Sequence, residues 1–229
     1  MSKRSIFLSL FFITACVSFY VSHALSVDNS ITTEDEQAIS SLEISAVCEN
    51  IIGVYEKEIE CLSAIQAAVQ SIGGKRCAIA SDIIEPSDFL RRNYGCCFDR
   101  ARFIEKASRY FGFETRHVFL IHPYKGFSIT NFLPFGQRSA ATSEILTSKG
   151  WLGVDSNEPF ILLSESGSPT TYRNAINNLD AFTFMVPRDF YIGEVDVILG
   201  LYSRHGNFHG QNFPGPEYVF SELLLNWRN

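Results

Sequence analysis

Gly95-Cys96-Cys97-Phe98-Asp99-Arg100-Ala101 is the stretch whose reading decides the fold. A glycine, a cysteine, then an aspartate two residues on lead into apolar positions at Phe98, Ala101, Ile104, Ala107, Ser108 and Phe111. That spacing predicts a helix from about Cys97 to Phe111, with Gly112 as its C-terminal stop. A cysteine heading a helix sits against about half a positive charge, which favours thiolate over thiol. Gly95 lets the chain turn sharply into the helix, and the Cys97 backbone N–H is placed to serve an oxyanion hole.

Downstream of that helix the period changes from helical to alternating. Thr115 to Ile121 reads as a strand, ended by His122-Pro123. Residues 124–137 form a Gly/Pro/Phe-rich loop. Glu144–Thr147 and Trp151–Val154 read as a hairpin around Ser148-Lys149-Gly150, with Asp155 at its exit. Phe160–Leu163 suggests a further short strand and Tyr172–Leu179 a short helix. Residues 182–186 and 195–201 stay ambiguous between strand and helix, and Ser221–Trp227 reads as a last helical turn or two.

Upstream, Thr33-Glu34-Asp35-Glu36 is a cap followed by acidic first-turn residues. Apolar strips follow at Ile39, Leu42 and Ala46 and at Ile44, Val47 and Ile51. A second helix is expected from Glu58 to Ile72, with Cys61, Ile65, Ala68 and Val69 on one face and Gly73-Gly74 stopping it. Glu85-Pro86-Ser87-Asp88 turns into a short helical piece. Helices first and an antiparallel sheet second is an α+β order rather than βαβ.

The chain has 229 residues and is 46% hydrophobic, enough for one domain with a substantial core. A net charge of −6 argues against a nucleic-acid partner, which calls for a basic stripe. Residues 1–25 read as a targeting segment: Lys3 and Arg4 precede the mostly apolar stretch Ile6–Tyr20, so residues 26–229 should be exported. Three fates compete. Ser22-His23-Ala24 has the small residues of a signal-peptidase site, Ile13-Thr14-Ala15-Cys16 resembles a lipobox, and Ile6–Leu25 is about the roughly 20 residues of an uncleaved membrane anchor. Ser26–Thr33 is expected to be a flexible polar tether.

Five further cysteines, Cys48, Cys61, Cys77, Cys96 and Cys97, make an odd count for an oxidising compartment. With Cys97 free, the others would form two bridges, in any of three connectivities. No CxxC pair suggests zinc and no acidic loop has calcium-ligand spacing, so no metal or organic cofactor is expected.

Taken together, Gly95, Cys97, Asp99 and Ala101 resemble the Gly-x-Cys-x-Asp-x-Ala motif of the transglutaminase-like superfamily, a branch of the papain-like cysteine-nucleophile fold. Ala140-Ala141-Thr142-Ser143-Glu144 has the spacing of that family's His-Ala-x-x-Glu strand, and Gly150-Trp151 to Asp155 that of its aspartate strand. The similarity runs from about Leu62 to Asp155 and returns at Gly200-Leu201-Tyr202-Ser203-Arg204-His205-Gly206. It implies a Cys-His-Asp site with Cys97 as nucleophile and Asp155 orienting the histidine. Ala140 stands where the histidine belongs, and a methyl group neither takes nor gives a proton.

Two functions follow as expectations. One is an inactive or weakly active exported domain, in the periplasm, outside the cell or at the membrane, that binds a peptide, protein or cell-envelope partner. The other is an active cysteine acyl-transfer enzyme with His122 or His205 moved into the site. Plain alternatives remain beside the catalytic ones: Cys97 as a small buried hydrophobe, Asp155 as a turn residue, Trp151 as core, Asp99 as a helix-dipole partner, and His117 as a structural polar residue. Glu144 is either a solvated strand residue or a buried partner of Arg116.

Overall fold

The computed structural model describes residues 3–24, 26–75, 84–122, 139–178, 195–202 and 217–227. Cys77, the 124–137 loop, the 182–186 segment, and His205 and His209 lie outside them.

Helix α1 (Lys3–Ala24) is followed by α2 (Thr33–Ser40), α3 (Ser45–Cys48) and α4 (Tyr55–Ser71). Side chains in α1 are described from Phe7 to Ser18, and among the described residues no helix is long and apolar enough to cross a membrane. The cap of α2 is Thr32, one residue earlier than the sequence suggests. Its hydroxyl takes the Asp35 N–H, and Asp35 Oδ2 takes the Thr32 N–H at 2.9 Å. The expected helical run is broken in two, with Ile39 in α2 and Ala46 and Val47 in α3, because Glu43 adopts a left-handed φ of 56° between them. The α3–α4 pair is joined by the Cys48–Cys61 disulfide.

After α4, Gly73 has φ +53°, and a Cβ there would meet the Asn93 carbonyl oxygen at 1.6 Å. Two short parallel strands, β1 (Gly74–Lys75) and β2 (Tyr94–Gly95), flank α5 (Pro86–Arg92) and lead into α6 (Cys97–Tyr110). The α5 start is a capping box between Glu85 and Asp88, with proline in its first turn.

The sheet is four-stranded and antiparallel in the order β5-β4-β3-β6, from β3 (Glu114–Ile121), β4 (Ser139–Thr147), β5 (Gly150–Val154) and β6 (Asp196–Leu199). The chain is therefore α+β. In β3 and β4, Val118 pairs with Thr142 and Leu120 with Ala140; in β4 and β5, Ser143 pairs with Val154. Strand β4 starts five residues before the expected hairpin arm. Phe160–Leu163 makes only single bridges, Ile161 to Val154 and Leu163 to Pro169, rather than a strand. Helix α7 (Tyr172–Asn177), strands β7 (Leu201–Tyr202) and β8 (Glu217–Tyr218), and α8 (Phe220–Leu223), continued by a 3₁₀ turn from Leu224 to Trp227, complete the described elements.

The sheet separates two apolar layers. On one side Ile145, Leu152 and Val154 pack with Phe103, Ile104, Ile65 and Val69 of α6 and α4. On the other, Val118 and Leu120 pack with Phe160, Leu162, Tyr172 and Leu199. Burying side chains of this size contributes about 1.5–3 kcal/mol each.

Residues 26–32 are not the flexible tether expected from their composition. The Val27 N–H donates to the Tyr218 carbonyl at 3.0 Å, and Arg102 donates to the Asp28 carbonyl and the Asn29 side chain at 2.6 and 2.5 Å. The segment is a strap laid across α6. Its polar residues are partners for a buried arginine, which composition does not reveal.

Candidate functional site

The turn into α6 is held by its own first residues. Cys96 is the extended N-cap, and its N–H donates to Asp99 Oδ2 at 2.7 Å. Arg100 Nη1 donates to the Gly95 carbonyl at 2.6 Å, with its guanidinium 5.5 Å from the centre of the Phe89 ring. Gly95 is required by crowding rather than by a left-handed turn: a Cβ there would meet the Phe89 ring at 2.6 Å and Asp99 Oδ2 at 2.8 Å. Asp99 is thus a capping carboxylate, as the dipole reading had it. Burial raises its pKa to about 6 against the pull of the Cys96 N–H, Arg92 and Arg100, and Oδ1 has no hydrogen-bond partner.

Cys97 is a free thiol, whereas Cys96 is disulfide-bonded. Cys97 keeps some exposed surface, but its surroundings desolvate the sulfur. Burial raises the thiol pKa above its ordinary value of 9.0. The Asp155 and Asp99 carboxylates push the same way, against hydrogen bonds from the backbone N–H groups of Ala141 and Phe98. This reverses the expectation of a thiolate at the helix start. Desolvation and two nearby anions outweigh the helix dipole.

Asp155 follows β5 and is brought to the same place. Its Oδ1 accepts the Asn157 and Glu158 N–H groups at 2.8 Å each, so it is a turn aspartate. Its Oδ2 takes the Tyr172 hydroxyl at 3.4 Å. Thr142 donates to the Val154 carbonyl at 2.7 Å and lies 2.7 Å from the same Tyr172 hydroxyl. Thr142 has one proton, so Tyr172 shares its own between Thr142 and Asp155. Beneath the turn, the Gln66 side-chain amide on α4 donates to the Asp155, Glu158 and Phe160 carbonyls at 2.8, 3.1 and 2.7 Å, and Gln70 adds a bond to Glu158 at 2.8 Å. Neither Gln66 nor Tyr172 stands out in the sequence. The one trace of Gln66 is an amide on the apolar side of a helix.

The structure therefore gathers Cys97, Asp155 and the start of β4. Ala140 packs among Val118, Leu120, Phe160, Leu162 and Tyr172, and the Ala141 N–H meets the sulfur. His122 follows β3 in the phase of Leu120, the partner of Ala140. His117 is elsewhere. Its Nδ1 bonds Glu105 on α6 and its ring stacks on Tyr202, with centroids 4.0 Å apart. It is a structural polar residue, as its plain reading had it.

Glu144 is buried and paired with Arg116, whose Nε lies 2.7 Å from Oε2, and it accepts the Tyr172 N–H at 2.7 Å through Oε1. Trp151 is half-buried rather than core, covered by the Arg116 guanidinium at 4.1 Å. Among the described residues no group of three or more His, Cys, Asp or Glu is arranged to hold a metal. The chain matches no known family model and no curated protein.

This arrangement offers a weakly acidic thiol, two backbone N–H groups beside it, and a carboxylate fixed within range of its charge. A carboxylate is too weak a base for a thiol with a raised pKa, so Asp155 does not itself suit thiol deprotonation at neutral pH.

Proposed function

We propose that this is an exported transglutaminase-like protein, of the periplasm, the extracellular side or the membrane, whose Cys97 site binds a peptide, protein or cell-envelope partner with little or no turnover. The observation that carries the reading is Ala140. It stands where the resemblance calls for a histidine, at the start of the strand whose Ala141 N–H meets the Cys97 sulfur, and it packs against apolar side chains, while burial raises the Cys97 thiol pKa. Support for the papain-like arrangement is the order of a cysteine-headed helix and three antiparallel strands, with Cys97 and Asp155 converging. Losing general acid–base help costs about a hundred- to ten-thousand-fold in rate.

The test is amine incorporation or amide hydrolysis on a glutamine peptide by the chain as it stands and by Ala140→His. Activity only in the histidine variant supports a disabled site. Activity already present, and lost in Cys97→Ala, overturns the reading. A second reading, an active acyl-transfer enzyme using His122, is favoured by the place of His122 in phase with the partner of Ala140. It requires rapid, pH-dependent alkylation of Cys97, abolished by His122→Ala.

A further inference from the structure

The geometry points to a lipid-facing surface at the C-terminus: Phe220, Leu224 and Trp227 rest on the bilayer interface beside the point where the N-terminal helix leaves the domain. The inference rests on the membrane-bound form of the reading above, with α1 retained.

These three residues recur at i, i+4 and i+7 along α8 and its 3₁₀ continuation. They are 61%, 42% and 76% exposed, although all three are large and apolar. The opposite side of the same segment is committed inward. Leu223 packs with Phe119 and Ile121, and Leu225 packs with the Tyr172 layer. Asn226 is pinned to Leu199 through bonds of 3.0 and 3.1 Å, and Glu222 accepts the His117 N–H at 2.9 Å. The segment cannot roll to hide its outer stripe without breaking those contacts. Phenylalanine and tryptophan are the residues that favour the boundary between headgroups and acyl chains.

The occupant follows from the chain path. Ser26 bridges Tyr218 and the Val27 N–H bonds the Tyr218 carbonyl, so the end of α1 at Ala24 is two residues from the strand that feeds α8. Two residues reach about 7 Å from Ala24 to Ser26, and two more about 7 Å from Tyr218 to Phe220. The headgroup layer is about 5–7 Å deep on each side. In α1, Phe7, Leu8, Phe11, Phe12 and Ile13 are all exposed and lie on more than one side of the helix, an apolar surface that a membrane interface would cover, although no described helix is long and apolar enough to cross a bilayer. Whatever bilayer takes up α1 therefore meets Phe220, Leu224 and Trp227 at its surface. The net charge of −6 opposes attraction to anionic lipid, so the contact is an apolar one that neutral lipid supplies.

The experiment uses the full chain reconstituted into phosphatidylcholine vesicles, with or without bromine on the upper acyl chain. Tryptophan fluorescence is followed in the chain as it stands and in Trp227→Phe. Expected are co-flotation with vesicles, quenching by brominated lipid, and loss of that quenching in Trp227→Phe, since Trp151 lies under Arg116. Phe220→Ser with Leu224→Ser should likewise reduce the quenching of Trp227. Co-flotation with Trp227 still open to aqueous iodide and insensitive to brominated lipid overturns the surface while leaving α1 as an anchor. Shielding of Trp227 from both quenchers means that protein covers it, and overturns the proposal. Absence of flotation overturns the surface and the anchor together. None of these results touches the Cys97 reading.

Discussion

The two ends of α6 handle burial in opposite ways. Its middle and C-terminal half carries Arg102, Glu105 and Lys106 inside the protein, and each is matched. Arg102 meets Glu85 at 3.0 Å, Lys106 meets Asp35 at 2.5 Å and Glu85 at 3.3 Å, and Glu105 bonds His117, Tyr202 and Ser143. The N-terminal end, at Cys97, places the Asp155 and Asp99 carboxylates near a thiol, with Arg92 and Arg100 pulling on Asp99 by charge. The middle of the helix is held by direct ion pairs and hydrogen bonds, whereas at its start burial dominates and raises both Cys97 and Asp99.

The sharpest way to break the contrast is Glu105→Ala. It strands a histidine and the hydroxyls of Tyr202 and Ser143 without their buried acceptor, and should cost about 3–5 kcal/mol in urea unfolding. A loss under 1 kcal/mol would mean the network contributes nothing beyond packing. Gly95→Ala should cost about 1–3 kcal/mol, because its Cβ meets the Phe89 ring and Asp99. A neutral result would show that the entry to α6 yields more easily than its middle.

The third test is pH. Burial, with the Glu105 charge, raises Glu222 to about 8 against the pull of the His117 N–H, Arg109 and Arg116. The folded chain keeps a proton that the unfolded chain releases above its ordinary pKa of 4.5. This contribution to stability is fully present below about pH 4.5 and lost as pH rises through about 8. Glu222→Gln should remove that component, so the difference between the two chains changes by at most about 1.4 kcal/mol per pH unit across the window. Parallel pH profiles would refute it. The smallest effect is expected at Lys75–Glu158, a largely exposed pair 3.3 Å apart, where Lys75→Ala should change stability by less than about 0.5 kcal/mol.

Much of this was legible in the residues. The helix over Cys97, the strand ended by His122 and the hairpin before Asp155 follow from local period and turn chemistry, and the structure has each within a few residues. What was not legible is long-range. Arg102 and Lys106 look like the solvated side of an amphipathic helix, yet they are buried because Asn29, Asp35 and Glu85 reach them from other elements. The Cys97 site was half legible. Spacing brought Cys97, Ala140 and Asp155 together, but a thiol pKa depends on desolvation and neighbouring anions, which no local pattern encodes. Gln66 and Tyr172 were missed for the same reason: their roles exist only through carbonyls and hydroxyls distant in sequence.

The strap has a consequence in time. Val27 meets Tyr218 across nearly the whole length of the domain, a long loop whose closure costs least once the elements between them are in place. It acts as a latch joining the two ends. A chain interrupted before Tyr218 would lose that bond and keep its first residues only through Arg102's bonds to Asp28 and Asn29, an end more open to a trimming protease.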